Sequence, residues 1–308
     1  MRNQNILSQK PFQSFEEASR FTLRYLHEKY GYGAWMMTRK NDNDWVILQI
    51  ETSKYSIEEQ TVLAWSDSMC CRMIEGAGPR WAPAVDHVES YVNAPIYQAQ
   101  TIKSYVGIPI CYPDGELFGT LCAIDTEASA RVPFDGLATV ELVAKLLSSL
   151  LQLELERNTL SSQQLSLLPE PLKDGETGFL NRVGWSLYLE KEQSNVRALG
   201  TPLYVIAIEA QSMLADKKRD RRSDLMLIRN LLNDCVANHG YLARLNESIF
   251  MVLLHDVLDD GFQAISQSLT SEFSAHGLDV QFGVKKHSYG EALDGTVMGA
   301  IRSTKVDL

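Results

Sequence analysis

The sequence predicts two mixed units in series, an α+β unit and then an α/β unit, joined by a long helix. Three observations carry this reading. Positions 134–168 run FDGLATVELVAKLLSSLLQLELERNTLSSQQLSLL, with no Pro or Gly after Gly136. Before this stretch the pattern is helix, strand pair, helices, strand pair. After it, apolar strands alternate with amphipathic helices.

In the long stretch Val143, Leu146, Leu150, Leu153, Leu160 and Leu167 recur at steps of three and four, with Arg157 and Gln164 filling the two gaps. That is a heptad seam, expected to pair with a second helix. A neighbouring stripe of Val140, Leu147, Leu151 and Leu155 is expected to pack on the preceding unit. At about 1.5 Å per residue the helix is about 50 Å long. Pro169 and Pro171 stop it. The predicted organisation is a first unit over 1–155, a linker and dimerisation helix over 134–168, and a second unit over 172–308.

A chain of 308 residues suits two ordinary domains. A formal net charge of -10 argues against nonspecific binding to nucleic acid or to anionic membranes. The five cysteines, Cys70, Cys71, Cys111, Cys122 and Cys235, form no CxxC pair. They read as reduced thiols in a cytoplasmic protein. The N-terminus lacks the apolar core of a signal peptide. Charges interrupt the apolar runs, so no membrane span is expected.

In the first half, 15–30 has a helical apolar face with Ser14 as N-cap. Strands are expected at 34–38 and 45–51, joined by the turn NDND. A helix is expected over 61–75, a short strand over 80–85 and a small lid helix over 86–94. Strands at 104–110 and 117–125 flank PDGE, where Pro113 fixes φ and Gly115 permits a positive φ. The sheet is expected to carry its helices on one face. In the second half, helices are expected at 184–193, 223–239 and 261–275. Strands are expected at 203–210, 241–245, 249–254 and 280–287, forming a mixed sheet.

SYVGIPI followed by PDGELFGTLCAID, then PFD and the long helix, resembles the GAF family of sensory domains, as does DSMCCRMIEGAGPRWAPAV. The resemblance covers about 12–155. It implies a six-stranded sheet, a ligand pocket between sheet and lid, and dimerisation through the flanking helices. It does not name the ligand. Candidate pocket residues are Trp35, Cys70, Trp81, Tyr91, Tyr105 and Cys122. Cys70, Cys71 and Cys122 suit redox sensing or chromophore attachment as well as plain core packing.

DGETGFLNR (174–182) resembles the DxLTGLxNR signature that opens the GGDEF, or diguanylate cyclase, family, and the element order over 174–302 follows suit. The family's reaction joins two GTP molecules, and carboxylates must converge on divalent metal to neutralise the phosphates. The resemblance places Glu209 at the metal position ending the first strand. The hairpin that names the family reads Arg244-Leu245-Asn246-Glu247-Ser248-Ile249-Phe250. Asn246 and Glu247 replace both glycines, Ser248 the metal carboxylate and Ile249 the next acid, while Arg244 and Phe250 match. Glu247 is displaced by one residue and so directed to the other face. Gln211, Ser212 and Met213 replace a further acid and an FK pair, and DKKRDRRSD (216–224) lacks the N-D…G-H pattern. The RxxD product-inhibition positions hold Ala237 and Gly240.

These departures predict a non-catalytic bacterial signalling protein. Its GAF-like unit senses a small molecule or protein partner and is coupled through the helix to an inactive GGDEF-like docking module. It is expected to be a homodimer with no catalytic residue, no certain cofactor and Glu209 as the sole metal candidate. The alternatives are a divergent diguanylate cyclase using GTP and Mg2+, and a nucleotide-binding receptor without turnover.

Overall fold

A computed structural model describes residues 10–128, 134–163, 169–211, 219–236 and 239–304. The chain divides into two compact units, Met1–Gln163 and Gln164–Leu308.

The first unit opens with α1 (Phe15–Tyr30), started by Ser14, whose hydroxyl accepts the Glu17 amide at 3.1 Å, and closed by Gly31 at φ 64. Strands β1 (Ala34–Asn41) and β2 (Asp44–Thr52) form the expected hairpin. The segment expected to be one helix over 61–75 is instead β3 (Val62–Ala64), a 3-10 turn at Trp65–Asp67 and α2 (Met69–Ile74). Ser68 interrupts the run by capping α2, its Oγ accepting the Cys71 amide at 3.0 Å. Then follow β4 (Trp81–Ala82), α3 (Glu89–Val92), α4 (Pro95–Ala99), β5 (Ser104–Cys111), β6 (Leu117–Asp125) and α5 (Phe134–Gln163). The six strands lie in the order β3-β2-β1-β6-β5-β4, and every neighbouring pair is antiparallel.

Helices cover both faces of this sheet, not one as expected. Alternation along the strands explains why, since both sets of side chains are apolar. Met36, Ile47, Tyr105, Cys122 and Ile124 pack against α2 to α4. The other face packs against α1 and α5, where Phe15 meets Phe118 edge-on at 5.8 Å, the register shift at Cys111 and Leu117 having turned Phe118 to this side. On α5 the stripe Val140, Ala144, Leu147 and Leu151 is buried, while Leu146, Leu153 and Leu160 are more than half exposed. Val143, Leu150 and Leu155 are half-buried. Leu167 and Gln164 lie outside the described residues. By length and composition alone Gly136–Leu160 could cross a membrane, contrary to the expectation from the sequence. Here, however, its buried stripe lies on the sheet and Glu141 pairs with Arg80 at 2.8 Å.

In the second unit α6 (Arg182–Leu199) is capped by Asn181, whose Oδ1 accepts the Val183 and Gly184 amides at 3.0 Å. It begins earlier and runs longer than expected, ending at Gly200 with φ 63. Then come β7 (Leu203–Glu209), α7 (Arg221–Val236), β8 (Gly240–Arg244), β9 (Ile249–His255), α8 (Asp259–Ala275), β10 (Gln281–Lys286) and α9 (Leu293–Ser303). The sheet order is β10-β7-β9-β8. Each of these pairings is antiparallel, because the hairpin strand β9 inserts between β7 and β8. The sheet is therefore antiparallel rather than mixed as expected, the parallel bridge of Leu180 to Ala243 lying outside the named strands. Both faces of β7 are buried. Ile206 and Ile208 pack towards α7 and α8, and Val205 and Ala207 towards α6 and α9.

Candidate functional site

In the first unit a cavity of about 150 Å³ lies between the sheet and the α2–α4 layer. Its walls are mostly apolar, from Met36, Trp45, Ile47, Ile57, Met69 and Ile102, and it reaches the surface beside exposed Leu63 and Gln100. The polar side is a cluster around Cys70. The Tyr105 hydroxyl and the Thr120 hydroxyl each donate to Cys70 Sγ at 3.3 Å. Thr38 is tied to Thr120 through a hydroxyl pair at 2.8 Å and donates to the Thr120 carbonyl at 3.1 Å. Gly107 makes room for the phenol, since a Cβ there would lie 1.9 Å from the Tyr105 oxygen. Cys122, opposite Gly107 in the sheet, lines the same cavity as Cys70 and interacts with it electrostatically. Burial pushes the Cys70 thiol up, but the neighbouring Cys122 and the hydrogen bonds from Thr120 and Tyr105 together bring it below its ordinary value. The neighbouring Cys70 and then burial hold Cys122 well above its own. Burial, with the neighbouring Cys70 sulfur, also keeps the Tyr105 phenol protonated.

In the second unit the β8–β9 turn is built by Asn246, whose Oδ1 accepts the Ser248 amide at 2.9 Å and the Ile249 amide at 2.8 Å. Arg244 anchors this turn to the loop before α6. Its Nη1 meets Glu176 at 2.6 Å and Asp174 at 3.2 Å, and its Nη2 donates to the Glu247 carbonyl at 3.0 Å. Asp174 also accepts the Thr177 amide and hydroxyl at 2.9 and 2.7 Å. Burial works against its ionisation, but the Thr177 bonds and the Arg244 charge leave its carboxyl below the ordinary range. Asp174, Glu176, Arg182, Arg221, Asn246 and Glu247 border an open cleft of about 520 Å³. Glu209 ends β7 opposite Ile249, with the Ala210 amide donating to the Ser248 carbonyl at 2.9 Å. Its Oε1 accepts the Gln211 amide at 3.0 Å.

Positions 15–155 match the sequence model of the GAF domain. This stretch is a GAF domain. The chain is also 24% identical over 216 residues to the diguanylate cyclase DgcP of Escherichia coli, covering 66% of this chain and 59% of that protein. It thus spans about three fifths of the length of that curated relative. Among solved structures, the FimX GGDEF domain from Pseudomonas aeruginosa is 21% identical, with a TM-score of 0.39, covering 43% of this chain and 91% of that one. The blue-light absorbing form of the Thermosynechococcus elongatus PixJ GAF domain is 12% identical, also at a TM-score of 0.39, over 48% and 91%. The diguanylate cyclase SiaD from Pseudomonas aeruginosa, solved with its activator SiaC, is 17% identical at a TM-score of 0.40, over 55% and 68%.

Of the residues the sequence nominated for a pocket, Cys70, Tyr105 and Cys122 line the cavity of the GAF domain. Trp35, Trp81 and Tyr91 do not. Trp35 is one residue out of phase with Met36, so it points to the α1 side, where its ring meets Tyr30 and Tyr32. Trp81 pairs with Val106 in the register that faces α5. Tyr91 is buried behind Tyr105, 5.1 Å away edge-on, with its hydroxyl on the Pro79 carbonyl. Cys71 stands outside the cavity and donates to Glu75 at 3.3 Å. Sequence reasoning missed Thr120, although alternation on β6 puts it on the same face as Cys122. It also missed Glu176 as a partner of Arg244, which no local pattern announces.

The divalent metal of diguanylate cyclase chemistry needs converging carboxylates. Among the described residues no group of three His, Cys, Asp or Glu side chains is placed to hold one. Beside Glu209 the hairpin offers Ser248 and Ile249, so the described residues do not fit the metal. Ser212, Met213, Lys217, Lys218 and Ala237 lie outside the described residues. Of the basic run, Arg219 forks onto Asp224 at 2.8 and 2.9 Å, and Arg221 lies 3.4 Å from Glu176. A Cβ on Gly240 would lie 2.1 Å from the Leu253 carbonyl oxygen, so the ladder there has no room for a side chain without shifting.

Proposed function

We propose that this chain is a cytoplasmic bacterial signalling protein of the cyclic di-GMP type. Its GAF domain senses through the sheet–lid cavity, and its second unit is a GGDEF-like module that no longer makes cyclic di-GMP. One observation carries the loss of catalysis. The turn that must hold a metal carboxylate and a bare backbone for the nucleotide is an Asn246-capped turn with Ser248 and Ile249 opposite Glu209. Neutralising phosphate charge is commonly the largest catalytic term in such a reaction, and one carboxylate cannot supply it. The module then acts by docking, and the Arg244-anchored cleft is the surface offered. The exposed seam of Leu146, Leu153 and Leu160 supports a parallel homodimer through α5, since so much apolar surface on one helix face favours a partner helix.

The test is incubation of the purified chain with GTP and magnesium or manganese, with nucleotide products separated chromatographically. No cyclic di-GMP above a protein-free control is expected. Product that disappears in Glu209→Ala would overturn the reading and establish a divergent cyclase.

A further inference from the structure

Cys70 and Cys122 sit together in a way that core packing does not require. A buried thiol at rest donates one weak hydrogen bond. Cys70 instead receives them, from Tyr105 and Thr120 at 3.3 Å, with Cys122 lining the same cavity beside it. The donors are themselves fixed. Thr38 meets the Thr120 hydroxyl on its other side, a pair in which either oxygen can donate, and so holds that hydroxyl in place beside the sulfur. Gly107 leaves the space that aims the phenol. Such an arrangement stabilises a negative sulfur by hydrogen bonding where no cation does so. Both cysteines line the cavity, whose volume admits a molecule somewhat larger than water. The other thiols of the GAF domain lack this setting. Cys71 donates to a carboxylate, and burial pushes both Cys71 and Cys111 up.

We propose that Cys70 and Cys122 form a peroxide-responsive dithiol inside the cavity, with Cys70 as the attacking sulfur and Cys122 as the resolving one. The Cys70 thiolate attacks one oxygen of hydrogen peroxide. An S–O bond forms, the O–O bond breaks, and the departing hydroxide takes the proton that the thiol gave up and leaves as water. Cys70 is then a sulfenic acid, oxidised by two electrons. The Cys122 sulfur attacks it, the S–O bond breaks, and hydroxide leaves with the Cys122 proton as a second water. The net change is two thiols and one peroxide to one disulfide and two waters. Closing the disulfide removes the negative charge that Tyr105 and Thr120 stabilise on the Cys70 sulfur, so the β5–β6 face of the cavity must rearrange. The inference deepens the reading of the cavity as a sensing site, but its chemistry is independent of any output from the second unit.

The experiment treats the purified full chain with a small excess of hydrogen peroxide, quenches it, alkylates under denaturing conditions and maps the peptides by mass spectrometry. Two of the five cysteines should escape alkylation, and a Cys70–Cys122 linked peptide, two hydrogens lighter than its parts, should appear. Cys122→Ser should stop at a Cys70 sulfenic acid that dimedone captures. Thr120→Val and Tyr105→Phe should each slow the reaction about tenfold at neutral pH, whereas a merely structural role would leave the rate unchanged. Five alkylated cysteines after peroxide in the unmodified chain, or a link between any other pair, would overturn the proposal. Neither result bears on cyclic di-GMP synthesis, which is assayed separately.

Discussion

Arg244→Ala should destabilise the second unit by about 3 kcal/mol. The Arg244 side chain is only 3% exposed, and it joins the β8–β9 turn to the loop preceding α6. Truncation removes the bonds to Asp174, Glu176 and the Glu247 carbonyl. Breaking a fully buried ion pair costs about 3–5 kcal/mol, chiefly because a charge is left stranded. Here Glu176 is 51% exposed and rehydrates, so its share is small. Asp174 is 23% exposed and keeps its Thr177 bonds. What water cannot restore is the bond to the turn carbonyl and part of the Asp174 bond, each about 1.5–3 kcal/mol when a charge takes part. Arg244 Nε has no partner among the described residues, a cost already present that truncation relieves, which holds the total at the lower end. For a unit of this size the melting temperature should fall by about 6–12 °C. Differential scanning calorimetry of the full chain is the assay. Arg244→Lys should recover less than half of the stability lost in Arg244→Ala, because lysine cannot fork between the acids and the carbonyl. A change within about 0.5 kcal/mol of wild type, the range of an ordinary surface substitution, would refute the claim that this residue fastens the turn.

Other outcomes follow from the same structure. Leu146→Asp with Leu153→Asp should leave folding intact, since both residues are more than half exposed, and light scattering at tens of micromolar should report half the wild-type mass; a monomeric wild type would refute the dimer. Leu151→Ala, at a fully buried position of α5, should cost about 2–5 kcal/mol in denaturant titration. Burial pushes the His287 imidazole below its ordinary 6.5, with Nδ1 on the Thr296 hydroxyl at 2.7 Å and Nε2 without a partner among the described residues. The unfolded chain therefore takes up a proton before the folded one does. Stability should be flat above about pH 6.5 and fall as pH drops through 6.5 towards the lower folded value, a slope that His287→Gln should reduce in melts at several pH values.

Local sequence determined the elements where periodicity and capping agreed. Ser14 and Gly31 bound α1, the alternation of apolar residues drew β5, β6 and β9, and the stripe of Val140, Leu147 and Leu151 distinguished the buried side of α5 from the exposed one. These are nearest-neighbour effects, and one segment carries enough information to express them. The 61–75 stretch was misread as one helix because Val62–Ala64 borrows its hydrogen bonds from β2, a partner that a local pattern does not contain. Of the six residues nominated for the pocket, Cys70 on α2 and Tyr105 and Cys122 on one face of the sheet line the cavity. Trp35 and Met36 differ by one position and face opposite layers, and which layer holds the space is decided by how α2 to α4 pack. The convergence of Tyr105, Thr120 and Cys122 on Cys70 joins chain positions from 70 to 122. Likewise Arg244 finds Asp174 and Glu176 some seventy positions away. Side-chain chemistry states what each group could bond to. Only the folded backbone, by bringing distant segments within hydrogen-bond reach and excluding water from between them, decides which bond is made.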